Sequence, residues 1–165
     1  MREENWDDIF WVADRCDEIA IDNGFTQPTW ENFLSKMMLA VTELDEGVQF
    51  INGGNGESLE IELADFTIRL FSVMSALWGN QWSDRRNTLS LHNQKRRKMR
   101  FSCVERLLWP LLSKVSNSVE YWRINEREDV KISLEYAVQH VFEISNVLEF
   151  DLMKVIRDKC KKNNG

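Results

Sequence analysis

Between Ser58 and Trp78 the chain is apolar on nearly every side, and this stretch decides what kind of fold it can enter. Leu63, Ala64, Phe66, Ile68, Leu70, Phe71, Val73 and Met74 leave a single polar line, through Glu62, Asp65, Arg69 and Ser72. A helix with so little polar surface is stable only when other elements surround it. The charges on its polar line therefore face either a narrow strip of solvent or a site. Only two prolines and seven glycines interrupt 165 residues, so the surrounding elements are expected to be helices as well. At 43% hydrophobic residues, a chain of this length can bury the core of one domain, residues 1–165, without disulfides. The expected class is all-α.

Helical spacing continues along the chain. A first helix is expected from about Glu4 to Asp22, on Trp6, Ile9, Phe10, Ala13, Ile19 and Ala20, with Asn23-Gly24 as its stop. After Pro28, Thr29 can cap a second helix reaching about Phe50, with Leu34, Met37, Met38, Val41, Leu44 and Val48 as its buried stripe. Asn52-Gly53-Gly54-Asn55-Gly56 then breaks the chain, and Ser58 can cap the apolar third helix. Residues 80–100 are polar, basic and weakly patterned, which suits a loop or a poorly packed helix. From Ser102 to about Val115 the pattern is helical again, with a kink expected near Trp109 because Pro110 lacks an N–H. Further helices are expected from about Asp129 to Leu148 and, capped by Asp151, through Leu152, Val155 and Ile156.

Two pairs of carboxylates stand at i,i+3 spacing inside these patterns: Glu43 with Glu46, and Glu62 with Asp65. Such spacing puts both members of a pair on one helix face. Two helices joined by a short turn could then present four oxygen ligands to Mg²⁺, which prefers octahedral oxygen coordination and often bridges carboxylates to phosphates. A lone ExxE is commonly a solvated face. Glu62 and Asp65 differ in lying on a core helix, where an uncompensated carboxylate is costly.

The segment Thr42-Glu43-Leu44-Asp45-Glu46-Gly47, its ExxE separated by the 15 residues 47–61 from Glu62-Leu63-Ala64-Asp65 with Ile68-Arg69, resembles the MazG-like all-α nucleoside triphosphate pyrophosphohydrolases. A third element, Lys-x-x-x-Asn on the last helix, matches Lys159 and Asn163. The resemblance covers residues 33–77 and 147–163. Residues 78–131 exceed what the family core needs and read as an insertion after the third helix. The resemblance implies a helical bundle in which Glu43, Glu46, Glu62 and Asp65 bind Mg²⁺, with Mn²⁺ as a substitute. It implies Glu43 or Glu46 as the general base and Lys159 with Asn163 as phosphate ligands. The activity implied is hydrolysis of a nucleoside or deoxynucleoside triphosphate to the monophosphate and pyrophosphate, by a homo-dimer or homo-tetramer. A deoxynucleotide is the preferred substrate; a phage MazZ-type member would take dGTP to dGMP, in nucleotide-pool control or modified-nucleotide supply.

Asn32, Lys36, Trp30 and Arg69 are further candidates for base or phosphate contacts. Each has a plainer reading: Trp30, like Trp6 and Trp11, suits core or interface, and Arg69 stands at i+4 from Asp65, a stabilising helix pair. His92 and His140 stand alone and read as structural or surface residues. Residues 85–100 hold seven basic side chains and no acidic one, within a chain of net charge −6. That overall charge argues against nucleic acid as the main partner, and the basic run lacks the aromatic residues of a single-strand binder. Lys95, Arg96, Arg97, Lys98 and Arg100 leave open a non-enzymatic interaction protein that engages an acidic partner, and a nucleotide sensor without turnover is a further alternative. Cys16, Cys103 and Cys160 form no CxxC motif and suit a reducing compartment. No apolar run reaches a membrane span and the acidic N-terminus lacks a signal-peptide pattern, so the expected location is cytoplasmic, the host cytoplasm for a phage protein.

Overall fold

The computed structural model describes residues 6–54, 57–79, 81 and 104–162. Among these the fold is all-α: α1 (Trp6–Asp22), α2 (Phe33–Ile51), α3 (Leu59–Trp78), α4 (Val104–Arg123), α5 (Arg127–Val147) and α6 (Leu152–Lys162), with no strand. No helix among the described residues is long and apolar enough to cross a membrane. The basic run at 95–98 with Arg100, His92, Cys103 and Asn163 lie outside the described residues.

The apolar third helix is the axis of the molecule. α3 packs against α1, α2, α5 and α6, while α4 lies against α5 and α2. Phe66, Leu70, Phe71 and Met74 of α3 are fully buried, with Ile9 and Ala13 of α1, Phe33 and Ala40 of α2, Leu134 and Val138 of α5 and Ile156 of α6 in the same cluster. Of the expected insertion at 78–131, the described part comprises the end of α3, all of α4 and the first turn of α5, and Leu108, Leu111 and Val115 of α4 belong to that core.

Three sequence expectations are corrected. First, α2 begins at Phe33, with Asn32 rather than Thr29 as its N-cap. Thr29 closes the turn before it, its Oγ1 accepting from the Asn32 N–H at 3.3 Å while Asn32 Oδ1 accepts from the Thr29 N–H at 2.8 Å. Second, the buried stripe of α2 is Phe33, Met37, Ala40, Glu43, Leu44 and Gly47, and Leu34 and Met38 are exposed. The helix is rotated so that Glu43 and Gly47 face α3, a phase that apolar residues alone do not report. Third, α4 runs two turns beyond Val115. The low helix propensity of Ser116-Asn117-Ser118 hides this continuation, yet Ser118 is buried with its hydroxyl donating to the Val115 carbonyl at 2.6 Å, and Val119 and Trp122 pack against the core.

The turn after α2 fixes where its carboxylates fall relative to α3. Gly53 takes φ +80°, its N–H reaches the Phe50 carbonyl at 3.0 Å, and the Gly54 N–H reaches the Gln49 carbonyl at 2.8 Å. This is a left-handed helix end that a side chain would strain. At the other junction, the Asp151 carboxylate accepts the Lys154 N–H at 3.0 Å, the expected cap of α6.

Candidate metal centre

Glu43 sits on the α2 face turned to α3, and one helical turn later Gly47 lets the two helices approach. A Cβ on Gly47 would meet Leu59 Cδ1 at 3.0 Å and Glu62 Cβ at 3.5 Å. The close approach brings Glu43 to Glu62 and Asp65, and one carboxylate oxygen from each lies within 4.8 Å of the other two. Opposed ligands of an octahedral Mg²⁺ are about 4.2 Å apart, so a spacing of up to 4.8 Å is slightly wider than a bound ion would set. Glu43 and Glu62 are buried and Asp65 is half-buried. Glu46, the fourth expected ligand, is exposed and outside this triad. Its charge nonetheless acts on Glu62.

The electrostatics are those of crowded acids. Burial, then repulsion from Glu46, Asp65, Glu43 and Glu57, pushes the Glu62 carboxyl up from 4.5 to about 7. Burial also raises Glu43 and Asp65, each opposed by a cation: Arg69 for Glu43 and Lys159 for Asp65. Three carboxylates raised chiefly by burial form an all-oxygen donor set of the kind a hard divalent ion takes.

The cations come from three helices. Arg69 donates from Nε to Glu43 Oε1 at 3.0 Å, so its hydrogen-bonded ion pair crosses to α2 rather than following the i,i+4 spacing to Asp65. Its guanidinium lies 5.5 Å over the Phe25 ring. Lys36 is close enough for Arg69 to help lower its pKa, after burial, and its ammonium donates to the Thr26 carbonyl. Lys159 reaches from α6 to Asp65 and, at 3.4 Å, to Glu57. Glu57, just before the N-cap of α3, is a site residue that motif spacing misses; a charge bordering a helix start beside two ExxE-type pairs is the signal that could have found it.

Other candidates serve the scaffold. Asn32 spends its side chain on the turn before α2, its Nδ2 donating to the Gln27 carbonyl at 3.0 Å. Trp30 packs beside Phe33, which stacks on Trp122, and Arg127 lies 4.4 Å over the Trp30 ring. Trp11 is exposed on α1. His140 bridges α5 to α4, with Nε2 3.2 Å from the Leu107 carbonyl. The polar line of α3 continues to α1, where the Ser72 hydroxyl donates to Asp17 at 2.8 Å and the Ser75 hydroxyl to Asp14. No protein-family model, curated protein or solved structure matches this chain.

Proposed function

We propose that this chain hydrolyses a nucleoside or deoxynucleoside triphosphate to the monophosphate and pyrophosphate. The observation that carries the reading is the meeting of Glu43, Glu62 and Asp65 in one cluster with Lys159, which lies 94 positions beyond Asp65 and touches it. Carboxylates for a divalent ion beside ammonium and guanidinium groups for phosphate are what a metal-bound triphosphate requires. Mg²⁺ or Mn²⁺ held there would screen the triphosphate and acidify a water for attack on phosphorus.

In this reading Glu43, Glu62 and Asp65 hold the ion, and Glu46, exposed beside them, completes the set. Glu43 and Glu46 are the candidates to orient and deprotonate the attacking water. Lys159, freed from Asp65, would contact the phosphates with Asn163, while Arg69 and Lys36 would add positive charge. The product pair follows from attack at the α-phosphorus. The MazG-like resemblance, the preference for a deoxynucleotide such as dGTP, a homo-dimer or homo-tetramer and a cytoplasmic location belong to the same proposal; light scattering tests the assembly.

A pyrophosphate-release screen over canonical and modified (d)NTPs, with Mg²⁺ and with Mn²⁺, tests the activity. Glu43→Gln and Asp65→Asn are each expected to lower turnover by at least about a hundredfold while circular dichroism stays helical. Release of orthophosphate instead, or full activity in both variants, overturns the reading.

A further inference from the structure

Where α1 and α6 touch, two thiols meet that sequence spacing keeps apart. Cys16 Sγ and Cys160 Sγ are 3.4 Å from one another although 144 positions separate them. A disulfide bond is about 2.05 Å long, so closing it asks the two sulfurs to approach by roughly 1.4 Å. Cys16 is buried against the core, whereas Cys160 is half-buried and opens on a cavity of about 200 Å³.

The cavity has a definite chemistry. Arg15, Arg157 and Lys161 line it with Trp11 and Val12, and no carboxylate is among its walls. Arg15 also pairs with Glu18 at 2.7 Å, which partly answers its charge, and Lys161 adds a cation to the same wall. The sulfurs differ in the same sense. The hydrogen bond with Cys16 and the charge of Arg15 bring the Cys160 thiol down to about 7 against its burial. That hydrogen bond, burial and nearby Asp17 push Cys16 up. Cys160, the lower of the two and the one open to the cavity, is thus the better attacking thiolate, and the enclosed Cys16 is placed to resolve.

We propose that Cys160 is a thiol–disulfide exchange site for small anionic disulfides, with Cys16 as the resolving thiol that closes a bridge between α1 and α6. The Cys160 thiolate attacks one sulfur of the small disulfide, whose S–S bond breaks and expels one thiolate. Cys16 then attacks Cys160 Sγ, and its proton goes to the second departing thiolate. Two protein thiols are oxidised and one small disulfide is reduced to two thiols. The bridge fixes α6 next to Lys159, but exchange stands or falls independently of any activity at the carboxylates.

The test exposes the reduced full-length chain at neutral pH to oxidised glutathione and, separately, to neutral 2-hydroxyethyl disulfide. Each rate is normalised to that of free cysteine. Intact mass and peptide mapping should show loss of two hydrogens and a Cys16–Cys160 cross-link, formed at least about tenfold faster with the anionic disulfide and losing that advantage at high salt. Cys16→Ser should stop at a mixed disulfide on Cys160, and Lys161→Gln should slow the reaction with glutathione alone. Equal normalised rates for the two disulfides, or modification confined to Cys103, overturns the proposal. The wild-type comparison needs no variant, so a misfolded substitution does not protect it.

Discussion

Glu62 is where the cost of assembling the cleft is concentrated. Its carboxyl titrates near 7 in the folded chain and near 4.5 when free of its neighbours, because burial and four surrounding carboxylates disfavour its charge. Between those values the folded state holds a proton that the unfolded state has lost, so stability of the metal-free protein falls as pH rises through this window. Above about 7 the deficit is complete, on the order of 2 kcal/mol once solvent screening is allowed for. A divalent ion held by the deprotonated cluster, as proposed, would offset that deficit and release a proton on binding in the window. Mg²⁺ is therefore expected to raise the melting temperature more at about pH 8 than at about pH 5.5. Glu62→Gln should raise the metal-free melting temperature near pH 8 by about 5 °C and abolish most of the metal increment. Thermal melts with Mg²⁺ and with EDTA at both pH values read this directly, and an increment independent of pH would count against metal at this cluster.

The α2 helix illustrates what an element's sequence does and does not disclose. Its existence and its end at Asn52-Gly53 follow from apolar spacing and a glycine turn. Its rotation does not, because Glu43 and Gly47 lie on the buried face where a hydrophobic pattern expects neither. The displaced phase is itself the mark of the site: a carboxylate faces α3, and a residue without a side chain one turn later allows the approach. Arg69 shows the same limit, since i,i+4 spacing describes neighbours on one helix and its ion pair lies on another. Gly47→Val tests the approach. Its side chain would press on Leu59 and on Glu62 Cβ, where a Cβ alone already comes within 3.0 Å and 3.5 Å. Urea unfolding should show a loss of about 1–3 kcal/mol, as overpacking of a tight helix contact does, although helix propensity favours valine over glycine. Wedging α2 away from α3 should also weaken the Mg²⁺-dependent stabilisation by more than tenfold in apparent affinity. A variant as stable as wild type and unchanged in its metal response would mean that the approach does not set the cluster.

At the scale of the whole molecule, the position of α3 was legible and its partners were not. An all-round apolar sequence demands a central helix, and α3 does touch four others. Which helices answer its polar line depends on packing that no local pattern encodes: Glu62 and Asp65 meet α2 and α6, and Ser72 meets α1. Because one helix joins the core to the cluster, damage to its apolar side should propagate, while damage at the rim should not. Phe71 and Trp109 separate these cases. Phe71 is fully buried on α3, whereas Trp109 on α4 keeps 66% of its surface exposed. Phe71→Ala leaves a cavity that neighbours fill only in part, a loss of about 3–5 kcal/mol against a total stability of about 5–15 kcal/mol. Trp109→Ala should change stability by less than about 0.5 kcal/mol. If α3 organises the fold, the Phe71 variant should lose helicity and any metal-dependent stabilisation together, at one lowered urea midpoint, because Glu62 and Asp65 of the carboxylate cluster ride on the helix that is loosened. A Phe71→Ala protein that unfolded in two steps, with metal-dependent stabilisation retained past the first, would instead place the cluster in a unit that α2 and α6 can hold without the core.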